Sequence, residues 1–187
     1  MKTLTYFDLF HYPITRCELL IFSSEETRLS SIDKELDSLV NEQVIFKLDE
    51  FYSLQNEPSI AEKRRQGNIR AIQQIIIARR VAKILYGCPF VKSIAVSGSL
   101  SKHFAEDNSD IDFFIITSAN RLWIARTFMH VLKKLSYLIG KQNWFCMNYY
   151  VDELAMEIPE KNIFTAMEIV TLIPMHGKDC FQRFKET

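Results

Sequence analysis

Apolar positions recur along this chain first at helical and then at alternating spacing. Leu4, Phe7 and Leu9-Phe10 predict a short helix, which must stop before Pro13 because proline disfavours the helical conformation at the residue preceding it. Thr15 followed by Glu18 has the spacing of a capping box and predicts a second helix from Arg16 to Phe22. Ile32, Leu36, Leu39 and Val40 predict a third over about 30–42. Val44 to Leu48 and Phe51 to Leu54, separated by Asp49-Glu50, predict a strand, a tight turn and a return strand. Pro58 then opens a long helix over 59–86, with Ile69, Ile72, Ile76, Ala78, Val81, Ala82 and Leu85 as its expected buried stripe and Gly87 and Pro89 as its stop.

Beyond that helix, strands and helices alternate. Val91 to Val96 and Ile111 to Ile116 read as short strands, Trp123 to Leu138 as a helix and Trp144 to Val151 as a strand. Ile163 to Ile173 reads as a closing helix ahead of Pro174, with a polar tail after it. The expected class is α+β, in three parts: a small domain over 1–58, a linking helix over 59–87, and a core over 88–187 with a short mixed sheet flanked by helices. The first part, three helices and a hairpin, resembles a winged helix-turn-helix.

Charge changes the picture of that first part. Lys and Arg balance Asp and Glu at 23 each over the whole chain, but residues 1–58 carry five basic and eleven acidic side chains. The stretch from Glu25 to Gln43, where a recognition helix would lie, holds Arg28 and Lys34 against Glu25, Glu26, Asp33, Glu35, Asp37 and Glu42. A duplex binder draws much of its affinity from neutralising phosphates, so this face argues against DNA and for packing or a protein partner. Residues 59–87 reverse the sign, with Lys63, Arg64, Arg65, Arg70, Arg79, Arg80 and Lys83 expected mostly on a solvated face.

Composition excludes little else. An apolar fraction of 48% is enough to fill a core, and no apolar run is long enough to span a bilayer. Cys17, Cys88, Cys146 and Cys180 lie far apart without C-x-x-C or histidine partners, as expected of reduced thiols in a cytoplasmic protein.

The chemistry-bearing stretch runs from Ser93 to Ile116: an apolar strand, Gly98-Ser99, ten residues, then Asp110-Ile111-Asp112 leading into a second apolar strand. Gly98 leaves room for a phosphate to approach the backbone where strand turns into helix, and Ser99 adds a hydroxyl. Asp110 and Asp112, two apart on a strand, are expected to face the same way as hard oxygen ligands suited to Mg²⁺. Lys102, in the turn that follows, can meet a phosphate oxygen.

This pattern resembles the signature of the DNA polymerase beta-like nucleotidyltransferase superfamily, over roughly residues 90 to 152. The resemblance implies that Gly98 and Ser99 bind the triphosphate of a nucleoside triphosphate. It also implies that Asp110 and Asp112 hold Mg²⁺ or Mn²⁺ and that a nucleoside monophosphate passes to a hydroxyl of an unidentified acceptor. The family pattern adds a third carboxylate on a neighbouring strand. On the face expected to present Cys146, Asn148, Tyr150 and Asp152, an amide stands mid-strand and Asp152 at the strand's end. With Asp152 in place the metal set is complete. With Asn148 there, the expectation shifts to a catalytically degenerate regulatory or interaction protein, because an amide cannot act as a general base.

Overall fold

The computed structural model describes residues 1–22 and 29–187. The protein is α+β, and its contacts divide it into two compact units, Met1–Gln66 and Gly67–Thr187. The division falls inside the long helix rather than at either of its ends. No helix among the described residues is long and apolar enough to cross a membrane.

In the first unit, α1 (Lys2–Asp8), β1 (Ile14–Thr15), α2 (Arg16–Phe22) and α3 (Leu29–Asn41) precede a hairpin of β2 (Phe46–Leu48) and β3 (Phe51–Ser53). The expected capping box closes: Thr15 Oγ1 accepts from Glu18 N at 3.2 Å and Glu18 Oε2 accepts from Thr15 N at 2.9 Å. The strand β1 is an addition to expectation and pairs antiparallel with β3, giving a sheet in the order β1-β3-β2. Glu25, Glu26 and Arg28 of the acidic stretch lie outside the described residues. Arg64 was expected on a solvated face; it is 2% exposed, paired with Glu18 at 2.5 Å and stacked over the Tyr12 ring at 3.7 Å. Helical periodicity located that face, but only folding revealed a carboxylate waiting beneath it.

The second unit takes in the rest of α4 (Pro58–Tyr86), then β4 (Val91–Val96), α5 (Gly98–Ser101), β5 (Asp112–Thr117), α6 (Leu122–Tyr137), β6 (Cys146–Asp152), α7 (Ile163–Thr171), β7 (Ile173–His176) and α8 (Lys178–Lys185). The sheet is mixed, in the order β6-β5-β4-β7: β5 runs parallel to β6, and β4 runs antiparallel to both β5 and β7. One face, with Ile94, Val96, Phe113 and Ile115, packs on Ala78, Val81, Ala82 and Leu85 of α4 and Met129 of α6. The other, with Ala95, Phe114, Ile116 and Val151, packs on Leu172 and on Cys180, Phe181 and Phe184 of α8.

Two expectations are corrected. Ile69, Ile72 and Ile76 of α4 are exposed, and Ala71 joins the smaller residues of the buried stripe, because a helix laid close to a sheet is faced by short side chains. The closing helix expected to run to Ile173 ends at Thr171, and the expected polar tail is built into the fold: β7, with Pro174 inside it, forms a sheet edge, where a missing N–H costs no ladder bond, and α8 follows.

Candidate functional site

The site forms where β4 and β5 meet α5. Ser97 follows β4 in an extended conformation, and its N–H donates to Asp112 O at 2.9 Å. Gly98 then takes φ of +67°, the left-handed region. A β-carbon here would stand 2.5 Å from Asp112 Oδ2, so glycine is required both by the backbone and by the carboxylate lying against it. Ser99 is exposed at the start of the four-residue α5.

Helix α4 holds this turn from behind. Ala105 N donates to Gly67 O at 3.1 Å, and the Phe104 ring occupies the space a side chain at 67 would need, with ring carbons 2.3 Å from an ideal β-carbon. A lone glycine inside a helical pattern is the sequence signal for such a close approach.

Asp112 opens β5, half-buried, while Asp110 lies in the exposed segment leading into the strand. The two are therefore brought close, but only Asp112 is on the strand. Burial raises the Asp112 carboxyl above its ordinary range, and the negative charges of Asp110 and Glu168 add to the effect against a hydrogen bond from Cys146 and the charge of Lys133. A cation between these carboxylates would relieve that repulsion.

Glu168 is the residue that sequence reasoning missed. From α7 its carboxylate accepts from Gly98 N at 3.2 Å through Oε2 and from Lys102 Nζ at 2.5 Å through Oε1. The same two donors are those expected to meet a phosphate. Lys102 also donates to Gly98 O at 3.3 Å, and Ser101 Oγ donates to Gly98 O at 2.7 Å and lies 3.2 Å from Thr171 Oγ1, so α7 is fastened to the turn at several points. The available signal was a single acid in the otherwise uncharged run Ile163 to Thr171.

The neighbouring strand disposes of the expected third carboxylate. Cys146, not Asn148, stands opposite Asp112 in the β5–β6 register, and its thiol, donating to Asp112, is pushed up to about 11 chiefly by burial. Asn148 is the extra residue of a β-bulge, exposed and paired with nothing on β5. Asp152 pairs with Thr117 at the opposite end of β5, about 16 Å from the Asp112 pair at ~3.3 Å per residue. There Asp152 accepts from Asn120 N at 2.7 Å and Leu154 N at 3.0 Å, capping a turn. Asp152 is thus removed from the metal set, and the bulge has switched the faces on which Tyr150 and Asp152 were expected to join Cys146. Among the described residues no group of three or more His, Cys, Asp or Glu side chains is arranged to hold a metal ion.

Ser97 contributes a buried hydroxyl whose oxygen has no hydrogen-bond partner among the described residues, directly before Gly98. Trp144, Phe145 and Tyr150 pack on the sheet core, and Tyr149 stacks on Phe114 with ring centroids 5.6 Å apart. No family model matches the chain, and comparisons with curated proteins and with solved structures give no significant match.

Proposed function

We propose that this protein binds a nucleoside triphosphate with a divalent cation at the Gly98–Asp112 corner and transfers its nucleoside monophosphate to a hydroxyl acceptor. The observation that carries the reading is the convergence of left-handed Gly98, Lys102 and the Asp110/Asp112 carboxylates at one end of the central strands. The residues fit Mg²⁺ or Mn²⁺ held by Asp110 and Asp112, since Mg²⁺ is commonly bound through one or two carboxylates with water and substrate phosphate oxygens completing the shell. When bound, such a cation supplies charge neutralisation at the phosphates.

The chain's own groups supply positioning. The Gly98 N–H and the Lys102 ammonium are directed at one anion, Glu168, and a phosphate oxygen entering there exchanges one anion for another. The Ser97 and Ser99 hydroxyls are further donors on the same turn. In the transfer, the acceptor oxygen forms a bond to the α-phosphorus, the bond from that phosphorus to pyrophosphate breaks, and the hydroxyl proton leaves to a carboxylate or to water.

A second reading is favoured by Cys146 standing opposite Asp112 and by Asp152 lying at the far strand end: a nucleotidyltransferase-fold protein that binds nucleotide in a regulatory or interaction role without turnover. The small first unit, with its acidic excess, then serves a protein partner. Calorimetry with ATP, GTP, CTP and UTP in Mg²⁺, on the native chain and on the Asp110→Ala, Asp112→Ala double variant, tests the shared premise. Metal-dependent binding lost in the variant supports the site; pyrophosphate release on adding acceptors separates the two readings; and no binding of any of the four nucleotides would overturn both.

A further inference from the structure

A cavity of about 630 Å³ lies beside the candidate site, between α4, the loop over 106–109 and the segment over 140–144. Its volume falls inside the range of about 300–1,000 Å³ typical of small-molecule sites. Ser109 and Ile111, the residues on either side of Asp110, both line it. The position is fixed by the Ile111 N–H, which donates to Asn143 O at 2.8 Å, and by Asn143 Nδ2, which donates to Asn108 O at 3.2 Å.

The lining is dominated by carboxamides: Gln73, Gln74, Asn108, Gln142 and Asn143, with the Ser109 hydroxyl among them. Each carboxamide offers both donors and an acceptor, and so does each hydroxyl of a sugar or polyol. The Gln74 amide nitrogen reaches Ser109 Oγ only at 3.4 Å, and its buried oxygen has no hydrogen-bond partner among the described residues. A turn of that side chain toward the cavity would give the oxygen a ligand hydroxyl as donor.

Other ligand classes fit less well. An anion would meet Glu106 and Asp107 in the lining, and the two cations there are engaged, Arg70 with Asp107 at 2.5 Å and Lys141 over the Trp144 ring. A flat heterocycle would want an open aromatic face, whereas the Trp144 ring carries the Lys141 ammonium 4.2 Å from its centroid.

We infer that this cavity binds an uncharged polyhydroxylated small molecule of the monosaccharide or cyclitol class. Its role as the acceptor, presenting a hydroxyl beside Asp110, rests on the nucleotidyl-transfer reading above; the binding itself does not.

The test is saturation-transfer NMR on the full chain with glucose, N-acetylglucosamine and myo-inositol at millimolar concentration, alongside nucleotide calorimetry on the same samples. Binding of at least one of the three is expected, weakened about tenfold in a Gln73→Ala, Gln142→Ala double variant, the loss of one or two hydrogen bonds. Gln142→Trp, which fills the cavity, is expected to abolish it, and Arg80→Ala, exposed on α4 and outside the lining, to leave it intact. No transfer to any of the three probes, or binding indifferent to both cavity variants, overturns the inference. Saccharide binding that obeys the variants while no nucleotide binds upholds the cavity and overturns the transfer reading instead.

Discussion

Three glycines of the second unit share nearly the same left-handed backbone, with φ of +67° at Gly98, +64° at Gly140 and +70° at Gly177, but differ in what surrounds them. Replacing each by alanine therefore separates backbone cost from contact cost. The left-handed conformation costs an ordinary residue about 1–2 kcal/mol, offset by about 0.4–1 kcal/mol because alanine restricts the unfolded chain. Gly140 has nothing within 4 Å of an added β-carbon, so Gly140→Ala should cost about 1 kcal/mol, the backbone term alone. At Gly98 the new carbon would lie 2.5 Å from Asp112 Oδ2, and the carboxylate must rotate away. An off-rotamer side chain adds about 0.5–1.5 kcal/mol, which brings Gly98→Ala to about 2 kcal/mol. At Gly177 the carbon would lie 2.0 Å from the Lys92 carbonyl and 2.8 Å from Ser93 Cα, so strand β4 itself must shift. That cost exceeds about 3 kcal/mol, in the range reserved for severe core disruption. Urea denaturation followed by tryptophan fluorescence reads this unit selectively, because Trp123 and Trp144, the only two tryptophans, both lie in it. The expected order of loss is Gly140, Gly98, Gly177. Three losses equal within about 0.5 kcal/mol would refute the contact argument and with it the claim that Asp112 is seated against Gly98.

Arg64→Ala in the first unit leaves the Glu18 carboxylate without its cation and should cost about 3 kcal/mol by circular dichroism, against less than about 0.5 kcal/mol for Arg80→Ala on an exposed stretch of α4. Because the folded-state Asp112 carboxyl is raised above its unfolded value, the folded chain binds more protons between those two values. In chelator, stability should therefore fall as pH rises through that window, and Asp112→Asn should flatten the profile in urea titrations. Cys146, held at about 11, should be about a thousandth thiolate at pH 8, so mass spectrometry after iodoacetamide should find the exposed Cys17 alkylated well before it.

How much was legible beforehand depends on the range over which each feature is decided. Helix α2 was readable because Thr15 and Glu18 satisfy each other within one turn, and β4 because its apolar run, Val91 to Val96, is bounded by Pro89 and Gly98. Gly98, Lys102 and the two aspartates were readable as a spacing, since a strand, a tight turn and a second strand bring their ends together whatever else the chain does. By contrast, the β-bulge at Asn148 follows from how β6 fits β5, and alternation counted along one strand cannot reveal that its partner skips a residue. That single skipped residue turns Tyr150 and Asp152 to the other face from Cys146, while the pairing of Cys146 with Asp112 leaves Asp152 at the far end of the strand.

Sequence by itself therefore determined the α+β class, the order of the main elements from α1 to α7, though not β1, β7 or α8, and the corner where Gly98 meets Asp112, all set by patterns local in the chain. Only the tertiary structure decided which side chains gather at that corner. Glu168 arrives from 70 residues away, to lie between the Gly98 N–H and Lys102. Arg64 finds Glu18 across 46 residues and is buried rather than solvated. Such partners are chosen by the packing of whole helices against a sheet, where burial makes an unpaired charge costly and so fixes which charges must meet.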